Sequence, residues 1–105
     1  MEYRSEVQTV FGPTPGEGQR IAIGAASVRS AALTLQKEHH YYATKACWIR
    51  IGDNAVVAVA ADFPLSAGAV YRWTPHSSLE QYIAVIEDAS VTTITGYLFI
   101  GQSEI

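Results

Sequence analysis

Residues 41–51 read Tyr-Tyr-Ala-Thr-Lys-Ala-Cys-Trp-Ile-Arg-Ile, and this stretch decides the fold class. Successive side chains of a strand point to opposite faces, so odd and even positions form two separate rows. The odd row is apolar apart from one lysine: Tyr41, Ala43, Lys45, Cys47, Ile49 and Ile51. The even row carries Tyr42, Thr44, Ala46, Trp48 and Arg50. The pattern predicts one half-buried β-strand, Tyr41–Ile51, with a sheltered face.

Similar short runs lie on both sides of this stretch, separated by clusters of turn-forming residues. The clusters are Gly12–Gly18, Gly52-Asp53-Asn54, Pro64–Gly68 and Thr74–Ser78. Between them we predict further strands at Arg4–Val10, Gln19–Ile23, Ala55–Ala60, Ala69–Thr74, Gln81–Glu87 and Ile94–Ile100. Short strands with turn chemistry every ~8–12 residues are typical of sandwiches and small barrels. The sequence therefore predicts an all-β fold, a small antiparallel β-sandwich or jelly-roll-like domain.

The segment Ala25–His40 fits two structures. Val28, Ala31, Ala32 and Leu35 follow helical spacing, whereas Leu33 and Leu35 alternate as in a strand. Because the neighbouring elements are β, strand and loop are favoured over helix.

The length of 105 residues predicts one domain, residues 1–105, with an N-terminal arm at about 1–18. Charged residues make up only 16% of the chain, against about 25% in an average soluble protein. A small domain has much surface to cover, so part of this surface is expected to be neutral and to contact a neighbouring chain. The alternative is a surface made soluble by Ser, Thr, Gln and Asn.

The charge balance and the apolar runs disfavour two classes of partner. A net charge of −3 and a pI near 5.5 lack the basic footprint that phosphate contacts need, so we expect no nucleic-acid binding. The polar start, Met1–Glu6, is not typical of a signal peptide, and no run of about 20 apolar residues predicts a membrane span.

No residue pattern predicts catalysis, and we expect no catalytic, metal or cofactor site. Cys47 lies between apolar neighbours and is expected to be a small buried side chain. His39 and His40 would point to opposite faces of a strand, and no third ligand has the spacing of a zinc site. Asp53, Asn54 and Asp62 do not match a calcium loop, and no Gly-x-Ser-x-Gly motif marks a nucleophile. The aromatic residues, including Trp48 and Trp73, suit either a sugar-binding platform or ordinary core packing.

Two predicted strands are apolar on both faces, at 81–86 and 96–100. Such a strand is either central in a sandwich with a covered outer side or faces a partner. We therefore take five interface candidates from them: Tyr82, Ile83, Val85, Tyr97 and Phe99. The arm residues Glu2–Val10 are further contact candidates.

Four short segments, in this order and spacing, resemble small β-sandwich structural proteins of tailed bacteriophage virions over residues 20–100. They are Ala46-Cys47-Trp48-Ile49-Arg50-Ile51-Gly52, Asp62-Phe63-Pro64-Leu65-Ser66-Ala67-Gly68, Tyr82-Ile83-Ala84-Val85-Ile86 and Thr95-Gly96-Tyr97-Leu98-Phe99-Ile100. The polar entry His39-His40-Tyr41-Tyr42 departs from that family's pattern.

The resemblance implies a structural protein of the virion, assembled in the host cytoplasm, and transfers no catalytic residues. A capsid decoration, or cement, subunit is the favoured role. It would stabilise the shell through contacts with the major capsid protein or other virion proteins, and it is expected to form a homo-oligomer. The alternative is a small neck or tail component, or a fibre-associated module that binds a carbohydrate or a receptor.

Overall fold

The computed structural model describes residues 18–90 and 95–103 of the chain. Within these ranges it contains eight β-strands and one turn of 3-10 helix, Ser78–Glu80. The strands are β1 Gln19–Ile23, β2 Val28–Arg29, β3 His39–Ala43, β4 Cys47–Gly52, β5 Phe63–Leu65, β6 Val70–Trp73, β7 Tyr82–Glu87 and β8 Gly96–Gln102. The predicted strand Arg4–Val10, and the predicted arm apart from Gly18, lie outside the described residues.

The strand pairing is nested. β1 pairs with β8, β2 with β7, β3 with β6 and β4 with β5, all antiparallel. Two further pairings, β3 with β8 and β4 with β7, join these pairs into two four-stranded sheets. Sheet A has the order β1-β8-β3-β6, and sheet B has the order β2-β7-β4-β5. Nested antiparallel pairs folded into two packed sheets make a jelly-roll sandwich, so the predicted fold class is confirmed.

The hydrophobic core lies between the sheets and is made of the inward rows of their strands. Its buried members are Ile21, Ile23, Leu33, Tyr41, Ala43, Cys47, Ile49, Leu65, Ile83, Val85, Leu98 and Ile100. Tyr41 is fully buried, and its ring stacks on that of Tyr71 with the centroids 5.9 Å apart. The odd row of residues 41–51 therefore faces the core, as the alternation predicts.

Replacing Tyr41 with phenylalanine is expected to stabilise the fold by about 1 kcal/mol. Among the described residues, the Tyr41 hydroxyl is buried without a hydrogen-bond partner. Burial, with a smaller contribution from Tyr71, raises the pKa of this phenol well above its usual range. A buried hydroxyl without a partner costs about 1–3 kcal/mol, and phenylalanine removes that cost.

Urea unfolding of Tyr41→Phe measures this effect. Tyr42→Phe is the matched control, because the Tyr42 side chain is 42% exposed and its change should stay within about 0.5 kcal/mol. A loss of stability in Tyr41→Phe would show that the hydroxyl has a partner after all.

The prediction of a single strand Tyr41–Ile51 is wrong. β3 ends at Ala43 in sheet A, and β4 begins at Cys47 in sheet B, so the chain crosses between sheets at residues 44–46. Ala43 and Cys47 are four residues apart, an even number that keeps the alternation in phase across the crossing. Lys45, the one charge in the apolar row, marks the crossing.

The predicted strand Ala55–Ala60 is also wrong, because these residues form a loop. A turn was predicted at Pro64–Gly68, but its first two residues belong to β5, an edge strand of sheet B. Proline lacks an N–H but is tolerated on an edge, where one side of the strand needs no partner. The turn follows at Ser66–Ala69, where Gly68 has a positive φ of 84°.

The remaining boundaries agree closely with the prediction. Gln19–Ile23 is confirmed, and Gln81–Glu87 and Ala69–Thr74 each lose one or two end residues. β8 begins at Gly96 and ends at Gln102, and the predicted first residue, Ile94, lies outside the described residues. Segment Ala25–His40 is strand and loop, as favoured, with β2 inside it and β3 starting at His39.

Candidate functional site

The outer face of sheet A carries apolar side chains that the described residues leave open to solvent. The register places Arg20, Phe99, Tyr42 and Val70 side by side across the four strands. The exposed fraction is 41% for Phe99, 42% for Tyr42 and 57% for Val70. Tyr97 is half-buried and lies two residues from Phe99 on β8. We call Tyr42, Val70, Tyr97 and Phe99 the sheet A strip.

The aromatic rings of the strip contact one another, and arginines flank them. The Phe99 ring centroid lies 6.4 Å from that of Tyr42 and 6.2 Å from that of Tyr97. The Arg20 guanidinium carbon lies 4.8 Å from the Tyr97 ring centroid, within cation–π range. Arg72, whose side chain is 62% exposed, lies on β6 at the opposite edge. The strip is therefore a mainly aromatic surface with an arginine at each side.

A polar cluster of Glu38, His40, Arg72 and Ser103 adjoins the strip. Ser103 Oγ lies 2.9 Å from His40 Nε2, and Arg72 Nη1 donates to the same nitrogen at 3.1 Å. Glu38 Oε1 also approaches Nε2, at 3.4 Å. A nucleophilic triad needs the carboxylate on the other ring nitrogen, and Ser103 is only 1% exposed. The cluster therefore holds the C-terminal strand end in place rather than presenting an activated hydroxyl.

The outer face of sheet B, in contrast, lies under the loop of residues 53–62, which we call the strap. The Arg29 guanidinium donates to the Asn54 carbonyl at 2.5 Å, and Ala58 N donates to Ser27 Oγ at 2.8 Å. Arg50 Nε and Nη2 both donate to Asp62 Oδ1, at 3.1 and 2.7 Å. These hydrogen bonds from Arg50, together with a hydrogen bond that Val59 N donates to the Asp62 carboxylate, lower the pKa of Asp62. Ala58 and the outward-facing Ala84 are both buried, so the strap covers the centre of this sheet.

The two strands predicted to be apolar on both faces thus have different surroundings. Ile83 and Val85 are fully buried in the core and offer no surface to a partner. The prediction that they are interface residues is therefore wrong. Tyr82 is half-buried, and the Arg29 guanidinium carbon lies 4.5 Å from its ring centroid. Tyr97 and Phe99 belong to the sheet A strip. The arm candidates Glu2–Val10 lie outside the described residues.

The sequence-based candidates omitted two strip residues. Tyr42 belongs to the even row of residues 41–51, whose polar members indicate solvent exposure. Val70 begins β6 and faces outward with Tyr42. The sequence alone does not show that the aromatic Tyr42 and the β-branched Val70 lie side by side on the outer face. Their closeness becomes clear only when the strand pairing is known.

A second feature, the edge pocket, opens between the sheets beside β5 and β6. Its volume is about 280 Å³, and its lining residues are Ile49, Arg50, Ile51, Phe63, Tyr71 and Trp73. The Phe63 and Tyr71 ring centroids lie 5.1 Å apart, and Phe63 is 52% exposed at the lip. β5 has only three residues and pairs with β4 only as far as Ile49, so the edge of β4 beyond Ile49 has no paired strand beside the pocket. Of the two tryptophans, Trp73 lines this pocket, whereas Trp48 is half-buried on sheet B.

Cys47 is expected to be unreactive in the folded protein. The side chain is 2% exposed, and burial raises the pKa of the thiol to about 11. The nucleophile is the thiolate, which is scarce at pH 8 when the pKa is this high. A colorimetric thiol assay should give no reaction in buffer and one full equivalent in denaturant. Rapid labelling of the native chain would contradict the buried position.

His39 and His40 point to opposite faces of β3, as predicted, with His39 buried and His40 on the outer face. Among residues 18–90 and 95–103, no three His, Cys, Asp or Glu side chains converge as metal ligands. In the same ranges, no helix has the length and apolar character to cross a membrane.

Comparisons with known proteins gave no match. No protein-family model, no curated protein and no solved structure matches the chain.

Proposed function

We propose that this chain is a non-catalytic structural subunit that docks on a neighbouring protein through the sheet A strip. The observation that carries the proposal is the difference between the two outer faces. The strap covers sheet B, whereas the described residues leave Phe99, Tyr42 and Val70 of sheet A exposed. Clustered aromatic side chains on a flat face are typical of the central part of a protein interface.

The charges around the strip indicate the chemistry of the partner surface. Arg20 and Arg72 lie at its two sides, and the nearby carboxylate of Glu38 contacts Arg72 at 3.5 Å. A second strip stacked face to face would bring arginines close to arginines. The strip therefore suits a different surface, apolar at its centre and acidic at its rim.

The assembly that we propose is a tailed-phage particle, in which the subunit decorates the capsid and contacts the major capsid protein or another virion protein. This step rests on the sequence resemblance. The jelly roll supports it by analogy alone, because this fold occurs in viral capsid domains and also in lectins and cupins. The low charge content, 16%, supports a surface that is covered in an assembly.

Replacing Phe99 with threonine is expected to weaken capsid binding about thirtyfold or more. Losing a central aromatic contact worth ~2 kcal/mol has an effect of this size. Threonine keeps a β-branched residue in β8, so the fold should persist. Capsids assembled without this subunit are mixed with it and repurified on a density gradient, and the bound fraction is measured.

Val57→Thr is the matched control. Val57 lies on the strap and is 56% exposed, so Val57→Thr puts the same new residue at an exposed apolar position away from the strip. Equal binding by wild type and Phe99→Thr, or no binding by wild type, would contradict the proposal.

A carbohydrate- or receptor-binding module is the second candidate, favoured by the position of Trp73. Trp73, Tyr71 and Phe63 lie together in the edge pocket, as a sugar-binding platform requires. However, a pocket of about 280 Å³ is smaller than most ligand sites, and its one charged lining residue is Arg50. A glycan array on which no sugar binds would exclude the carbohydrate-binding form of this candidate.

A further inference from the structure

A second pocket, which we call the polar pocket, opens between the start of the strap and the 3-10 turn. Its volume is about 320 Å³, and its lining residues are Asp53, Asn54, Ser78, Leu79, Gln81 and Tyr82. Tyr82 points outward from sheet B, because its neighbour Ile83 faces the core. The polar pocket therefore lies on the side of the sandwich away from the sheet A strip.

Hydrogen bonds within the chain fix the two walls of the polar pocket. On the strap side, Asp53 Oδ1 accepts from Ala55 N at 2.9 Å, and the Asn54 carbonyl accepts from the Arg29 guanidinium. On the other side, Leu79 N donates to Ser77 Oγ at 3.3 Å, and Gln81 Nε2 donates to the Leu33 carbonyl at 2.8 Å. The shape is thus formed without a ligand, as is usual for small-molecule sites.

Several polar groups of the lining are left for a ligand. Among the described residues, no hydrogen bond involves the side-chain amide of Asn54 or the hydroxyls of Ser78 and Tyr82. Asp53 and Gln81 each use one polar side-chain atom within the fold, which leaves Asp53 Oδ2 and Gln81 Oε1 as acceptors. The lining therefore offers donors and acceptors together, and its one charge is negative.

A neutral sugar matches this set of groups. Each sugar hydroxyl both donates and accepts, so it can pair with amide, hydroxyl and carboxylate groups alike. An ammonium group only donates, and it would leave the donors of Asn54 and Ser78 without acceptors. An anionic group would lie beside the Asp53 carboxylate with no cation in the lining. Leu79, which is 73% exposed, provides an apolar contact for the C–H face of a sugar ring.

We propose that the polar pocket binds a neutral sugar residue of a glycan. It is a different site from the edge pocket, whose lining is mainly apolar. A subunit docked through the sheet A strip would keep the polar pocket open to solvent, because the two features lie on opposite outer faces. That orientation rests on the proposed function, whereas the sugar binding does not.

A glycan array probed with the full chain tests the proposal, followed by calorimetric titration of the best neutral glycan. We expect neutral glycans to bind and sulfated or carboxylated ones to bind more weakly. Asn54→Ala and Ser78→Ala should each weaken binding about fivefold, the effect of one lost hydrogen bond. Neither side chain has a hydrogen bond within the described residues, so thermal melts of both variants should match wild type.

Two control variants separate the polar pocket from other surfaces. Ser66→Ala removes the hydroxyl of an exposed serine in the turn after β5, and it should bind as wild type does. Phe63→Ser removes the exposed ring at the lip of the edge pocket, and it should also leave sugar binding unchanged.

Three results would overturn the proposal. The first is an array on which no neutral glycan binds. The second is equal binding by wild type, Asn54→Ala and Ser78→Ala. The third is binding that is lost only in Phe63→Ser, which would place the sugar in the edge pocket. Because the isolated chain is used, none of these results bears on the docking face, which capsid binding by Phe99→Thr tests separately.

Discussion

Replacing Gly96 with alanine is expected to lower the free energy of unfolding by about 3 kcal/mol. Gly96 begins β8 and is buried against the side chain of Lys45. An added Cβ would overlap Cβ of Lys45 and lie 3.0 Å from its Cδ. Lys45 is itself buried where the chain crosses between the sheets, so neither side can move away easily. Overpacking of this kind costs about 1–3 kcal/mol, and the overlap here is severe.

Gly101→Ala is the matched control on the same strand. No atom of the described residues lies within 4 Å of the position that its Cβ would occupy, so we expect a change within about 0.5 kcal/mol. Urea unfolding of both variants gives the comparison. Equal stability of Gly96→Ala and Gly101→Ala would contradict the close packing of Lys45 on β8.

Replacing Lys45 with methionine is expected to cost about 3–5 kcal/mol at neutral pH. Lys45 Nζ lies 2.7 Å from Glu87 Oε1, and the exposed side-chain fractions are 2% and 13%. Methionine keeps most of the aliphatic stem but removes the ammonium, so Glu87 is left as a buried charge without this partner. Breaking a buried pair from one side is far more costly than replacing both members.

The double variant Lys45→Met, Glu87→Leu distinguishes the lost charge from lost packing. It should recover most of the stability, because neither charge of this pair then remains buried. Unfolding free energies of the four proteins form a double-mutant cycle. Additive losses would show that the two side chains do not interact.

The alternation of residues 41–51 predicts the buried row correctly but not the crossing within it. Because residues 44–46 keep the period-two phase, Tyr41 and Ile49 face the same core from different sheets. Lys45 is the only local sequence signal of the crossing, and its partner Glu87 lies 42 positions away. Sequence pattern reports which side of a strand is buried, but sheet membership depends on such distant contacts.

The strap shows a second limit. Val57 and Val59 suit a strand by propensity, yet they are exposed while Ala58 is buried. β-Propensity describes how a side chain fits a pleated surface and depends on context. Here Ser27, 31 positions before Ala58, and Arg50, 12 positions before Asp62, bind the segment as a loop.

The docking face could be predicted only in part. Tyr97 and Phe99 were chosen because their strand is apolar on both faces, and the same rule chose Ile83 and Val85, which are in the core. The rule identifies covered strands but not what covers them. The opposite sheet covers the inner face of β7, and the strap covers its outer face. On β8, the described residues cover only the inner face.

Hydroxyl-radical footprinting of the chain in its native assembly tests the docking face most directly. Oxidation of Tyr42, Tyr97 and Phe99 is measured in the isolated subunit and in the assembly, with Tyr82 as an internal reference. The proposed docking predicts that the three strip residues become protected in the assembly while Tyr82 does not change. Equal oxidation of the strip residues in both states would contradict it.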